Sequence, residues 1–227
     1  MKVCVTLVGV CRPTLKQVIQ NIESNTTYFN SAYPQHTFTF IVLTYINDFY
    51  TDLVSYCNLN AIRCIGINTI TEKEFIFPVK IHVPNVYRMF YSMHTVLDAI
   101  SKSAYDCILR IRLDCEIRNF QLHDTIEEKI YYILQYSPNR VEDNIAYGSY
   151  TTMRQLWKHE HCLTKGLSSE EVLFNVIKKC NFKIKPFKYH YILHQSNDDV
   201  FDGVAQHSKR SREWIFDGTK YILQDLL

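Results

Sequence analysis

Residues 105–117 read YDCILRIRLDCEI, and the fold turns on how that stretch is placed. Cys107, Ile108 and Leu109 form an apolar run. Charges then fall on every second residue, at Arg110, Arg112, Asp114 and Glu116. Side chains alternate across a strand, so a single strand over 105–117 puts these four on one face and Ile111, Leu113 and Cys115 on the other. Four charges do not face a dry core without partners. A strand that begins buried and ends in acids is leaving a parallel sheet at its carboxyl edge, where open α/β sheets bind ligands. The rival reading of the same pattern is a ladder of structural ion pairs.

Working outward, strand-like and helical patterns alternate. Residues 2–10 are a continuous apolar run that suits a central parallel strand. Arg12-Pro13 opens a helix whose apolar face is Leu15, Val18, Ile19 and Ile22. Strands are expected at 38–45 and 61–67, with a short helix around Leu53 and Val54 between them. That order is β-α-β-α-β, the start of a Rossmann-like sheet. A long helix follows Pro84-Asn85, striped by Val86, Met89, Phe90, Met93, Leu97 and Ile100. Further helices are expected around 126–134, from Met153 to Trp157, and over 168–181, the last opened by the capping-box pattern Ser168-Ser169-Glu170-Glu171. Strands are expected at 144–150 and 183–194, with 214–227 as a covering segment. The fold class is α/β, a mostly parallel central sheet flanked by helices. Neither repeat nor linker interrupts residues 1–227, which read as one domain.

Composition narrows the function. Of the 227 residues, 47% are hydrophobic and 21% charged, enough for a full core and too ordered for a disordered chain. A net charge of +2 makes no case for nucleic acid as partner. The basic cluster Lys209, Arg210, Arg212 is short enough to be a solvated face. No apolar run reaches the roughly 20 residues of a membrane helix. The 8 cysteines have irregular spacing and no C-x-x-C pair, so reduced thiols and a cytoplasmic location are expected.

Asp114 and Glu116, two residues apart on a strand, would set two carboxylates about 7 Å apart. Such a pair can hold a hard cation, Mn2+ or Mg2+, that carries phosphate oxygens and offsets charge on a leaving diphosphate. Arg112 can neutralise phosphates or hold Asp114. His159 to Cys162 reads HEHC, but zinc wants a second paired cluster and the chain has none.

The Arg-x-Arg-x-Asp strand, followed some thirty residues later by DNIAYGSYTTM (143–153), resembles small GT-A glycosyltransferases. In style it is similar to a bacterial lipopolysaccharide-synthesis (WavE-like) family and to the N-terminal domain of a large chlorella-virus glycosyltransferase, a viral protein. The resemblance covers residues 2–194. It implies a transferase that moves a sugar from a nucleotide-diphosphate donor, UDP-linked, to a glycan or glycoconjugate acceptor. In that family an Asp-x-Asp motif binds metal and ribose; here it reads Asp114-Cys115-Glu116, with Glu in the second place. The resemblance further implies donor contacts from Arg12 after the first strand, from Thr44 and Tyr45 at the end of the second, and from Arg88 on the long helix. A late-strand histidine, His194 or His190, would be a further metal ligand. An inverting enzyme of this kind carries its base at a helix start on the acceptor side. Glu170 is the freer candidate because Glu171 fits the capping box, and Asp143 is the competitor. Gly148-Ser149 would let a sugar approach the backbone, or would form a bulge. The rival functions are a nucleotidyltransferase, disfavoured because the loop GVCRPT has no Gly-Lys cluster, and a non-catalytic glycan- or protein-binding module.

Overall fold

A computed structural model describes residues 1–9, 14–68, 84–163, 167–195, 210–216 and 221–226. The apolar opening run forms β1 (Lys2–Val8). It leads through α1 (Leu15–Ala32), capped by Thr14, to β2 (Thr37–Tyr45), then through α2 (Tyr50–Leu59) to β3 (Arg63–Ile67). Next comes α3 (Pro84–Asp98) and a return to the sheet on the other side of β1 as β4 (Cys107–Arg112). β1 pairs in parallel with both β2 and β4, so the carboxyl ends of β1 and β4 lie side by side where the strand order reverses. Such a reversal opens a crevice at the carboxyl edge.

The chain then leaves this sheet. Leu113 and Asp114 make a turn, and β5 (Cys115–Phe120) begins a second sheet. The remaining strands are β6 (Ile130–Tyr132), β7 (Gln135–Ser137), β8 (Arg140–Val141), β9 (Ile145–Gly148), β10 (Lys183–Lys185), β11 (Tyr189–Gln195), β12 (Arg210–Phe216) and β13 (Tyr221–Leu226). The helices α4 (Tyr150–Leu156) and α5 (Ser169–Lys179) lie between β9 and β10. The main sheet runs β10-β6-β9-β4-β1-β2-β3, and within it β9 runs against its neighbours. A second sheet, β13-β12-β11-β5, is antiparallel. The architecture is thus α/β with a mostly parallel central sheet flanked by helices.

Two cores lie on either face of the main sheet. One joins α1 and α2 to the second sheet through Val18, Ile22, Phe29, Ile117, Phe120 and Tyr191. The other joins α3, α4 and α5 through Phe90, Met93, Trp157, Leu173 and Ile177. Six cysteines among the described residues are free thiols. No helix among the described residues is long and apolar enough to cross a membrane.

Four expectations need correction. The segment 105–117 is not one strand, so Arg110, Arg112, Asp114 and Glu116 do not share a face; the break at Leu113–Asp114 sends Glu116 into the other sheet. The spacing of Ile126, Ile130, Ile133 and Leu134 suggests a helix, yet Ile130–Tyr132 is a strand parallel to β10. Tyr131, Tyr132 and Ile133 are buried in succession, and a β-branched and aromatic run buried on both faces favours a strand. Residues 183–194 divide into β10 and β11. The expected covering segment contributes β12 and β13, a pair that extends the second sheet from β11.

Two buried polar residues on α1 hold the turn out of the main sheet. Asn21 Nδ2 donates to the Leu113 carbonyl at 3.3 Å. Asn25 Nδ2 donates to the Cys115 carbonyl at 2.9 Å, and its Oδ1 accepts the Ile117 N–H at 2.8 Å. Four residues apart, both lie on one helix face among Val18, Ile22 and Phe29. Backbone groups released by the turn would otherwise be buried without partners. Asn25→Ala should therefore lower unfolding free energy by about 2–4 kcal/mol, the cost of stranding two buried backbone groups. Urea denaturation followed by circular dichroism measures it; a loss below about 1 kcal/mol would show that the turn is held by packing alone.

Candidate active site

Arg112 is the last residue of β4, beside Val8 at the end of β1. Its Nε donates to Asp114 Oδ1 at 3.0 Å and its Nη2 to Asp114 Oδ2 at 2.6 Å, a bidentate pair spanning the turn. The third guanidinium nitrogen, Nη1, donates to Asn144 Oδ1 at 2.9 Å. Burial opposes the Arg112 charge, but Asp114, Cys115 and Asp143 together outweigh it, and its pKa lies above the ordinary arginine value. Asp114 is 4% exposed, so the pair stands at the crevice wall rather than in open solvent.

Across the turn, β11 runs against β5. The His194 N–H donates to the Asp114 carbonyl at 2.9 Å, and His194 Nε2 lies 3.3 Å from Glu116 Oε2. Arg118 Nη2 sits 3.0 Å from the other Glu116 oxygen. Asp114, Glu116 and His194 are thus brought together by the pairing of two strands some eighty residues apart. His190 lies on the same face of β11 as His194 but four residues earlier, opposite Asn119 rather than beside Glu116. Among the described residues no group of three or more His, Cys, Asp or Glu side chains is disposed to hold a metal ion. Glu116 and His194 nonetheless form a carboxylate–imidazole pair, a donor set that suits a divalent cation whose remaining ligands are phosphate oxygens and water.

A second acidic group lies past β8. Ser169 Oγ donates to Asp143 Oδ2, which ties the start of α5 to the Asp143 segment. Glu170 lies 3.8 Å from Arg140 Nη1. Its pKa is raised by burial and by the neighbouring Asp143, against the opposing pull of Tyr136 and Arg140. Glu171 closes the capping box with Ser168, and the backbone N–H of Ser168 lowers its pKa. The two carboxylates singled out as rival bases therefore occupy one site.

The remaining expected positions are as follows. Arg12 lies outside the described residues. Thr44 is fully buried at the end of β2. Tyr45 is 8% exposed, and its hydroxyl donates to the Arg88 carbonyl at 3.0 Å and lies 3.1 Å from Ser92 Oγ. Arg88 thus meets Tyr45 through its backbone, while its side chain is half-buried on α3. Arg110 is 1% exposed and packs 4.5 Å over the Trp157 ring, with Asp143 the main charge acting on it. A Cβ on Gly148 would meet the Ile130 carbonyl at 3.4 Å, and Ser149 caps α4, so protein rather than a sugar occupies that approach. His159, in the 3-10 turn His159–Leu163, packs its ring against His94 at 4.8 Å, with no metal cluster among the described residues.

Sequence reasoning missed Glu142, Asn144 and Tyr191. Glu142 is 2% exposed, and its Oε1 accepts the Asn144 N–H at 2.9 Å. Burial first, then Asp143, pushes its pKa up to about 7. The one sequence signal was an acidic pair set between Val141 and Ile145, both buried.

No protein-family model matches the chain, and no curated protein matches it. Among solved structures, the chain is similar to a Drosophila β-1,4-galactosyltransferase 7 in complex with manganese, UDP-Gal and xylobiose, at 10% identity and a TM-score of 0.48, over 82% of this chain and 65% of that one. It therefore spans just under two thirds of that structure. It is also similar to LgtC at 15% identity, over 82% of this chain, in an active-site mutant (TM-score 0.46, 72% of that chain) and in a galactosyltransferase complex with donor and acceptor sugar analogs (TM-score 0.47, 73% of that chain).

The Glu142 environment makes a stability prediction that is independent of any activity. Its folded pKa, about 7, lies above the free-carboxyl value of 4.5. Below pH 4.5 the group is neutral in both folded and unfolded chains. As pH rises to 7 the unfolded chain ionises first, so folding stability falls, and the loss is complete above pH 7. Glu142→Gln removes that loss. The variant should match the parent at pH 4 and exceed it by on the order of 3 kcal/mol at pH 8, one pKa unit being worth about 1.4. Chemical denaturation at both pH values checks this, and an equal difference at the two would refute it.

Proposed function

We propose that this chain is a metal-dependent glycosyltransferase that moves a sugar from a nucleoside-diphosphate sugar, UDP-linked, to a hydroxyl of a glycan or glycoconjugate. The single observation that carries the reading is the Arg112–Asp114 clamp, set where the strand order reverses at the carboxyl edge of the sheet, with Glu116 and His194 beside it. The motifs at 110–114 and 143–153 support kinship with the WavE-like and chlorella-virus transferases.

In this reading Asp114, kept in place by Arg112, meets the donor's ribose and faces the cation that carries the diphosphate. Glu116 and His194, with Asp114 adjoining, would hold Mn2+ or Mg2+, which when bound supplies positive charge to a departing diphosphate. Arg12, Thr44, Tyr45 and Arg88 belong to the donor side by their positions after β1, at the end of β2 and on α3. On the acceptor side, Glu170 takes the proton of the attacking hydroxyl. In an inverting transfer the hydroxyl oxygen bonds to the anomeric carbon, the bond from that carbon to the diphosphate breaks, and the proton ends on the Glu170 carboxylate. A carboxylate with a raised pKa is a stronger base than a free one, and the burial of Glu170 supplies that rise. Asp143 is the second choice, since it already accepts the Ser169 hydroxyl.

Asp114→Asn removes charge with little change in volume. It should lower the melting temperature, since Arg112 loses its charge partner, yet leave a folded chain that no longer shows manganese-dependent UDP binding in calorimetry; unchanged affinity sinks the assignment. Glu170→Gln should cut turnover by about a hundredfold or more with donor affinity nearly unchanged. Normal turnover in Glu170→Gln combined with loss in Asp143→Asn would move the base to Asp143.

A further inference from the structure

Glu142 has no part in the proposed transfer, yet it stands at one end of a continuous hydrogen-bond chain that ends on Asp114. Its Oε1 accepts the Asn144 N–H at 2.9 Å. Asn144 is 6% exposed and bonds in several directions. Its Nδ2 donates to the Tyr191 hydroxyl at 3.0 Å, its Oδ1 accepts Arg112 Nη1 at 2.9 Å, and its carbonyl accepts the Arg112 N–H at 2.9 Å. Arg112 then grips both oxygens of Asp114. Every member of this chain is buried or half-buried, so few other conformations are open to it. Burying a carboxyl group is costly, and an apolar side chain at position 142 would avoid the cost if space-filling were all that mattered.

We propose that Glu142 is a positioning residue of the transfer site: it fixes Asn144 and, through Asn144 and Arg112, sets the Asp114 carboxylate against the donor. The inference rests on Asp114 being a donor-binding group. It also places residues 141–144 on both sides of the reaction, since Asp143 belongs to the acceptor-side acids and its neighbours reach the donor-side acid.

The ionisation of Glu142 gives the proposal a distinctive signature. The ionisable groups within electrostatic reach of it are Asp143 beside it, Glu170 on α5, Tyr191 on β11, Tyr131 on β6, Tyr136 on β7 and Cys115 on β5. Burial, Asp143 and Glu170 all favour the neutral form, while the Asn144 N–H and Tyr191 favour the charged one. Glu142 therefore changes charge close to neutral pH. A charged oxygen holds the Asn144 N–H more strongly than a neutral one. Donor affinity should accordingly rise as Glu142 loses its proton.

The test is calorimetric titration of the full chain with a UDP-hexose and Mn2+ between pH 6 and pH 8. The parent, Glu142→Gln and Glu142→Ala are compared, each checked for folding by thermal melting. A UDP-hexose is used because its diphosphate has no proton to lose in this range. Glu142→Gln keeps an oxygen for the Asn144 N–H and cannot ionise. At pH 6 it should bind within about threefold of the parent, whereas Glu142→Ala should lose about tenfold, the scale expected for removing a group that orients a ligand-binding side chain. Dividing parent affinity by that of Glu142→Gln cancels pH effects common to the two proteins. That ratio should climb several-fold from pH 6 to pH 8. A ratio that stays constant while the parent binds well overturns the role of Glu142 and leaves the glycosyltransferase reading standing, even if Glu142→Ala fails to fold. If the parent binds none of a panel of UDP-hexoses at any pH, the glycosyltransferase reading falls and this inference falls with it.

Discussion

The bidentate pair between Arg112 and Asp114 is the constraint around which the rest of this structure is arranged. It spans the two-residue turn at which the chain leaves the parallel sheet for the antiparallel one. A strand that stops at a sheet edge exposes backbone donors and acceptors, and a chain that continues into a second buried layer needs partners for them at once. Asn21 and Asn25 from α1 supply those partners on one side of the turn. On the other, the Asn144 carbonyl accepts the Arg112 N–H while its side chain holds the Arg112 guanidinium. The turn is thus fixed from two directions by short polar side chains, each buried and each hydrogen-bonded. The same fixing holds Asp114 at the crevice.

Charges two residues apart meet opposite fates here, and the difference is a matter of depth. Arg110 lies within β4 and is covered by Trp157, so its guanidinium finds an aromatic face in place of water. Burial lowers its pKa, with Asp143 pulling the other way. Arg112 stands one step nearer the edge and finds a carboxylate. Glu116 lies past the turn and finds His194 on a strand that the chain builds much later. An alternating charge pattern on a single strand thus resolves into a buried cation, a clamp at the crevice and a carboxylate–imidazole pair. Nothing in the local spacing separates these outcomes, because each depends on what packs against that residue from elsewhere.

The acid cluster past β8 works on the same principle with the opposite sign. Glu142, Asp143 and Glu170 are carried by two segments, and the hydrogen bond from Ser169 to Asp143 joins them. Gathering carboxylates in a partly dry place raises the proton affinity of those that lack a strong counter-charge. Arg140 at the rim and the capping interactions of α5 limit the effect, so Glu171 moves down while Glu142 and Glu170 move up.

Sequence alone determined the elements whose information is local. The apolar run of β1, the repeated strand–helix order, the capping box at Ser168 and the buried start of β4 were all legible, since each rests on an apolar run, periodicity or a cap. So were the Arg112–Asp114 pairing and the use of Glu171 rather than Glu170 in the cap. Sequence alone misassigned 126–134, because a segment buried on both faces has no periodicity of its own to display. It placed the break in 105–117 nowhere, since the partners that stabilise that break, Asn21, Asn25 and Asn144, lie far away in the chain. Only the tertiary structure could decide that Glu116 faces His194, that Arg110 turns to Trp157, and that Glu142 is joined through Asn144 to the Arg112–Asp114 pair. The reason is physical: a polar side chain can be buried wherever a distant segment brings it a partner, and the pairing is written in the packing of strands and helices rather than in the spacing of residues along the chain.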